Sequence, residues 1–291
     1  MVINHISKVH TKKKNLSPIV EKISNQLKKN GYHSKLNSKK QSNVNLNFYH
    51  FGGIYCLLMF IKNKLLNKHT INVGFFHGTD LHRYNKDLNY LNKLKIHLNY
   101  FSNILLIKYC NYSYVVSNSM IKYIPPIFIK KIKIIMLGIN LTDINKIKRT
   151  KKNNKQLIFV NNNKRGIKNY ELAKIFSKKN NFKLISVSGL SQMEFFKILK
   201  NSHGLIITSF NEGSPNVLKE AIALKSKIFT VDVGDCKSII QKFGGYLIDY
   251  EGNLLREYKP DKNYKIKYLS IENTANQLIQ DYKFFKLNDK R

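Results

Sequence analysis

Apolar residues along this chain follow two alternating patterns. Short β-branched or aromatic runs read as buried strands, and stretches with apolar residues three or four apart read as helices. Residues 2–6 form the first predicted strand. An amphipathic helix over 16–29 follows, with Ile19, Ile23 and Leu27 on one stripe and Gly31 as its stop. Strands are predicted over 44–50 and 71–76, with a helix over 54–66 between them. Residues 86–109 read as helix, 113–117 as strand, 118–124 as the start of a helix, and 131–136 as another strand. From 157 the alternation is strict. Strands over 157–160, 183–187, 204–208 and 227–233 are each followed by a helix, over 168–178, 191–201, 215–225 and 236–243. A last strand covers 246–249 and a last helix 271–285.

Such βα alternation implies parallel sheets covered on both faces. The polar, lysine-rich stretch 142–156 is the best linker candidate. We therefore expect an α/β fold with one Rossmann-like domain over 1–145 and a second over 146–270. The helix from 271 to 291 is expected to pack back towards the first domain.

Composition changes this picture in one respect. Lys and Arg number 51 against 17 Asp and Glu, a net charge of +34. Only five of the basic residues are arginine, at 83, 149, 165, 256 and 291. A field of this size attracts polyanions. Sequence-specific DNA readers rely on bidentate arginine and recognisable motifs, and neither is found, so an anionic membrane surface or anionic acceptor is the better candidate partner. Cys56, Cys110 and Cys236 are too scattered for a disulfide framework or zinc site and read as reduced cytoplasmic thiols. No signal-peptide pattern opens the chain, and the longest apolar run, 54–61, falls well short of the about 20 residues that span a bilayer. The expectation is a cytoplasmic protein, soluble or peripheral on the inner face of the membrane.

Candidate chemistry centres on the stretch from Thr208 to Glu220. An apolar strand is broken by Gly213 and Ser214, Pro215 takes the first helical position, and a stripe follows at 217, 218, 221, 222 and 224. Glu212 then lies in the turn and Glu220 on the edge of the stripe. Two carboxylates straddle a helix N-terminus that suits an anion. That arrangement fits a ligand with hydroxyls at both ends and phosphates between, such as a nucleotide sugar. A capped, solvated helix start with two surface glutamates fits the spacing equally well.

The wider pattern decides between them. The nonapeptide from Glu212 to Glu220 (EGSPNVLKE), continued by AIALKSKIFTVDVG to Gly234, resembles the Glu-x₇-Glu motif and following helix and strand of retaining GT-B glycosyltransferases of family 4. His77-Gly-Thr-Asp80 resembles that family's His-Gly-x-Asp segment, at a strand end where open α/β sheets bind ligands. Lys168, with Arg165 before it, resembles the basic pair that neutralises the donor diphosphate. The glycine pair usual in the loop after the first strand is missing, since residues 8–14 read KVHTKKK. The resemblance implies two Rossmann-like domains facing across a cleft, the first for the acceptor and the second for the donor. It implies catalytic roles for His77, Glu212, Lys168 and Arg165. Gly213, Ser214, Pro215, Asn216, Val217 and Glu220 would contact the donor, and the loop 233–236 would lie near base and ribose. No Asp-x-Asp pair occurs, so transfer without metal or other cofactor is expected, with a nucleotide sugar as co-substrate. The implied reaction moves a glycosyl unit to an acceptor hydroxyl of a saccharide or lipid-linked acceptor with retention, in surface polysaccharide or glycolipid synthesis. A GT-B nucleotide-sugar epimerase and a catalytically degenerate, polyanion-binding relative remain as alternatives.

Overall fold

The structure is a computed structural model of the chain, in which residues 1–7, 18–38, 43–67, 69–81, 90–148, 150, 155–160 and 167–288 are described. The chain forms two compact units, one of Met1–Met136 with Thr274–Arg291 and one of Leu137–Asn273.

The first unit is built on six strands, β1 (Val2–Ile6), β2 (His33–Leu36), β3 (Leu46–His50), β4 (Ile71–Phe76), β5 (Tyr112–Val115) and β6 (Ile132–Ile134). They make one parallel sheet in the order β2-β1-β3-β4-β5-β6. Helices α1 (Pro18–Lys29), α2 (Gly53–Leu66) and α3 (Tyr90–Tyr109) lie in its connections. Every residue of β3 and β4 is buried, as a sheet covered on both faces requires. The centre of this sheet is unusually polar. Asn4, Asn47 and Asn72 are register partners across β1, β3 and β4. Asn4 Nδ2 donates to Asn47 Oδ1 (3.3 Å), Asn47 Nδ2 to Asn72 Oδ1 (3.2 Å), and the Tyr49 hydroxyl to Asn72 Oδ1 (2.9 Å). Because each amide has a partner, the ladder can sit in the core without the penalty of an unmet hydrogen bond.

The second unit repeats the topology. Its strands are β7 (Gln156–Val160), β8 (Lys183–Val187), β9 (Gly204–Ile207), β10 (Lys227–Thr230), β11 (Gly245–Ile248) and β12 (Leu254–Tyr258). They run β12-β11-β10-β9-β7-β8, parallel except for the antiparallel edge strand β12. Its helices are α4 (Leu141–Asn145), α5 (Tyr170–Lys179), α6 (Gln192–Asn201), α7 (Asn216–Ala223) and α8 (Cys236–Phe243). Where the chain enters and leaves this unit, Ile139 bridges Ser270, and a Cβ on Gly138 would collide with the Ser270 carbonyl. The last helix, α9 (Ile271–Asn288), contributes its residues from Thr274 to the first unit. There Asp281 accepts from the Tyr114 hydroxyl and pairs with Lys133, both at 2.6 Å, and Phe285 stacks on Tyr112 at 4.1 Å.

Several expectations shift. Strands β2 and β12 are additions, both at sheet edges where polar residues are tolerated. Residues 118–123 form a 3₁₀ turn, opened by Ser117 Oγ accepting from Ser119 N–H at 3.2 Å, instead of a helix. The compact units divide between Met136 and Leu137, whereas the polarity of 142–156 places the border at 145. Part of that stretch is α4, capped by the Asn140 side chain. The lysine-rich loop 8–14 lies outside the described residues.

Candidate active site

In both units the strand order reverses direction beside the first strand, between β1 and β3 and between β7 and β9. Ligands of open α/β sheets bind outside the carboxyl ends of the strands at such a switch point. In the second unit the two loops concerned carry Lys168 and Glu212.

Those two loops are tied together through backbone carbonyls of the first. Thr208 Oγ1, just past β9, donates to the carbonyls of Lys168 (3.0 Å) and Asn169 (2.8 Å), and Phe210 N–H donates to Ile167 O at 2.8 Å. Lys168 sits in the turn ahead of α5, because Asn169 takes the N-cap position in a left-handed conformation and accepts from Leu172 N–H. The ammonium of Lys168 then pairs with Glu212 Oε1 at 2.5 Å, and Ser209 Oγ donates to the same oxygen at 2.8 Å. Lysine and glutamate, 44 residues apart, are thus brought together with both side chains still partly exposed.

The loop after Glu212 is held from two sides. Asp235 N–H donates to Gly213 O at 3.0 Å. Gly234, at φ +59°, passes so close that a Cβ would meet the carbonyl oxygens of Gly213 and Glu212. From below, the Lys219 side chain, with no exposed surface, donates to Ser214 O (3.3 Å) and Leu137 O (2.6 Å). Burial pulls the Lys219 pKa down to about 8, against the opposing pull of Asp235, Cys236 and Glu220. Burial pushes the Asp235 carboxyl up to about 6, with Lys219 holding it lower than burial alone would. Lys219 is the residue the sequence reading passed over. It occupies a helical position among apolar neighbours, and that position is the only signal it leaves.

Helix α7 starts at Asn216, with Pro215 as its N-cap instead of its first residue. Its burial is also broader than a stripe: Leu218 to Ile222 are all buried, and Val217 is half-exposed. Glu220 is therefore enclosed, 6 % exposed, not on an edge. Its Oε1 accepts from Gln192 Nε2 at 2.8 Å, at the N-terminal end of α6. Gly213, Ser214, Pro215 and Asn216 run between the two carboxylates at the mouth of α7. Arg165 lies outside the described residues.

His77 lies in the first unit, immediately after β4 and near that unit's own switch point. It ends a row of three imidazoles that sequence reasoning did not foresee. His5 Nδ1 meets His50 Nε2, and His50 Nδ1 meets His77 Nε2, each at 2.9 Å. The row follows from register: His5 pairs with Phe48, two residues before His50, and His50 pairs with Phe75, two residues before His77. The His77 ring stacks between Phe51 (4.2 Å) and Phe75 (4.7 Å), and its backbone N–H donates to Asp80 Oδ2 at 2.6 Å. Burial pulls His5 and His77 down to about 3 and His50 well below its ordinary value. Burial pushes Asp80 up to about 7, against the hydrogen bond from His77. Three neutral rings, each with one N–H and one lone pair, must share one tautomeric sense along the row. The two end nitrogens, His5 Nε2 and His77 Nδ1, are buried without a protein partner.

No protein-family model matches the chain, and no curated protein matches it in sequence. Solved structures do resemble it. A glycosyltransferase from Rickettsia africae is 12% identical with a TM-score of 0.58, over 98% of this chain and 88% of that one. The Anabaena protein HepE in complex with UDP is 10% identical with a TM-score of 0.55, over 97% and 90%. A UDP-GlcNAc 2-epimerase from Methanocaldococcus jannaschii is 12% identical with a TM-score of 0.53, over 98% and 100%. At these identities the likeness is one of fold. The fold is GT-B: two α/β units, each on a six-stranded, mainly parallel sheet.

Proposed function

We propose that this protein is a glycosyltransferase that takes a sugar from a nucleoside diphosphate donor and passes it to an acceptor hydroxyl with retention. The observation that carries the reading is the pairing of Lys168 with Glu212 at the β7/β9 switch point, above a helix that also holds the buried Glu220. A lysine and two carboxylates around a helix N-terminus match the alternation of hydroxyl, diphosphate and hydroxyl in a nucleotide sugar. Lys168 exchanges Glu212 for the donor diphosphate, together with Arg165. Glu212, released, accepts from hydroxyls of the transferred sugar, and Glu220 accepts from the ribose in place of Gln192.

The bond from the anomeric carbon to the diphosphate oxygen breaks as the acceptor oxygen bonds to the same face. The acceptor's proton passes to the departing diphosphate, whose negative charge Lys168 stabilises. Such a cation makes a metal ion unnecessary. UDP is the first nucleotide to try, because the Anabaena structure holds it.

An epimerase is the second reading, favoured by a likeness that spans the whole archaeal enzyme. Titration calorimetry with UDP and GDP, followed by incubation of UDP-sugars with and without saccharide or lipid-linked acceptors in EDTA, separates the cases. Acceptor-dependent release of nucleoside diphosphate with an unchanged anomeric configuration is expected. A donor isomerised without acceptor would establish the epimerase, and no heat with either nucleotide would establish a degenerate site.

A further inference from the structure

Helix α2 is turned inside out. It buries Cys56, Phe60 and Asn63, the last held by a hydrogen bond to the Tyr49 hydroxyl, and exposes its largest aliphatic residues. Ile54, Leu58, Ile61 and Leu65 recur at intervals of four, three and four and are 43%, 61%, 48% and 77% exposed. Helix α3, packed against α2, does the same with Leu91, Leu94, Leu98 and Phe101, the first 73% exposed. Scattered exposed leucines need no explanation, but two adjacent stripes at helical spacing are an interaction surface.

Charge identifies what it meets. The polar positions around the stripes carry Lys62 and Lys64 on α2 and Lys93, Lys95 and Lys108 on α3, and neither helix contains an acidic residue. Between Glu21 and Asp143 the only acids in the sequence are Asp80 and Asp87. A second copy of the chain would bring lysine against lysine, without the opposite charges that pair helices side by side. An anionic lipid surface accepts both components at once, aliphatic side chains below the headgroups and ammonium groups among them. Among the described residues no helix is long and apolar enough to cross a membrane. We propose that the α2–α3 face of the first unit is a membrane-docking surface that lies on an anionic bilayer with its two apolar stripes inserted.

This inference goes beyond the reaction proposed above and does not depend on it. The chain has no tryptophan, so one introduced at an exposed position reports on that position alone. With full-length protein and phosphatidylcholine vesicles containing phosphatidylglycerol, Leu65→Trp emission should shift to the blue on binding. Ile175→Trp, also at an exposed aliphatic position but on α5 of the second unit, should not shift. Leu58→Asn with Leu98→Asn should weaken partitioning by about tenfold or more, as loss of two inserted leucines requires. Lys62→Gln and Lys95→Gln should each weaken it by about fivefold, on anionic vesicles only. UDP affinity, read in parallel, should be untouched, so failure of nucleotide binding would speak against the transferase reading and not against this one. Unchanged Leu65→Trp emission in vesicle-bound protein, wild-type partitioning of the leucine double variant, or a lipid-free dimer that this variant dissolves would each overturn the proposal.

Discussion

At the scale of single residues, the two glutamates of the proposed donor site differ in what surrounds them. Glu212 is held by a lysine and a serine with part of its side chain in solvent, whereas Glu220 is enclosed beside Gln192. They should fail differently. Glu220→Ala removes the proposed contact to the nucleotide, which changes little on the way to the transition state, so KM for the donor should rise with kcat largely kept. Glu212→Ala disturbs the sugar at the reacting carbon, and kcat should fall by about 10²-fold or more. UDP itself should bind Glu212→Ala almost normally and Glu220→Ala poorly. Equal loss of UDP binding in both variants would show the roles to be misassigned. The spacing of Glu212 and Glu220 about one helix start could be read from the sequence, but that Lys168, 44 residues before Glu212, reaches it could not. Lys219 was not legible either, since nothing in its spacing reveals that its ammonium reaches the carbonyls of Ser214 and Leu137. The imidazole row was equally hidden, because His5, His50 and His77 meet only through strand register.

At the scale of elements, the loop before α7 depends on the loop after β10. Gly234 adopts a left-handed φ, and it leaves no room for a side chain against Glu212 and Gly213. Gly234→Ala should displace the Gly213–Ser214 backbone at the mouth of α7, where the diphosphate is proposed to sit, and weaken UDP binding by about tenfold, with the melting temperature lowered by only a few degrees. Calorimetry on the variant tests this, and wild-type UDP affinity would contradict it. Strands β1, β3 and β4 make a second prediction, about acid. His5, His50 and His77 have folded pKa values far below the ordinary 6.5, so unfolding takes up three protons between pH 6.5 and the acid range. Asp80 opposes them, because its raised pKa keeps a proton in the folded state that the unfolded chain binds only near 3.8. The net uptake from these four groups is about two protons, and stability should fall as pH drops from 6.5 towards 4. Melting curves across that range check the slope, and His50→Phe should reduce it. The central strands were legible from their apolar runs, whereas β2 and β12 were not. Edge strands such as His33–Leu36 and Leu254–Tyr258 alternate weakly and leave most residues exposed or half-exposed.

At the scale of the whole molecule, the chain is two copies of one strand order, and the alternation of short and long apolar runs announced both. The border between them was harder to see. Polarity marks 142–156, but the units part at Met136, where Gly138 makes the close crossing with Ser270 possible. The return of α9 to the first unit gives a prediction at this scale. Asp281→Ala takes away the partner of both the Tyr114 hydroxyl and Lys133. The first unit should lose about 1–3 kcal/mol, while UDP binding, proposed for the second, should persist. Thermal melting beside calorimetry reads both, and a loss of UDP affinity equal to the loss of stability would count against this division.

The same return has a bearing on how the polypeptide matures on the ribosome. Domains of a growing chain ordinarily fold in the order in which they emerge. Here the second unit, Leu137–Asn273, is contiguous and is fully synthesised before the residues from Thr274 that complete the first. Until those residues appear, Tyr112 lacks Phe285, and Tyr114 and Lys133 lack Asp281. The half of the protein made first is therefore the half finished last.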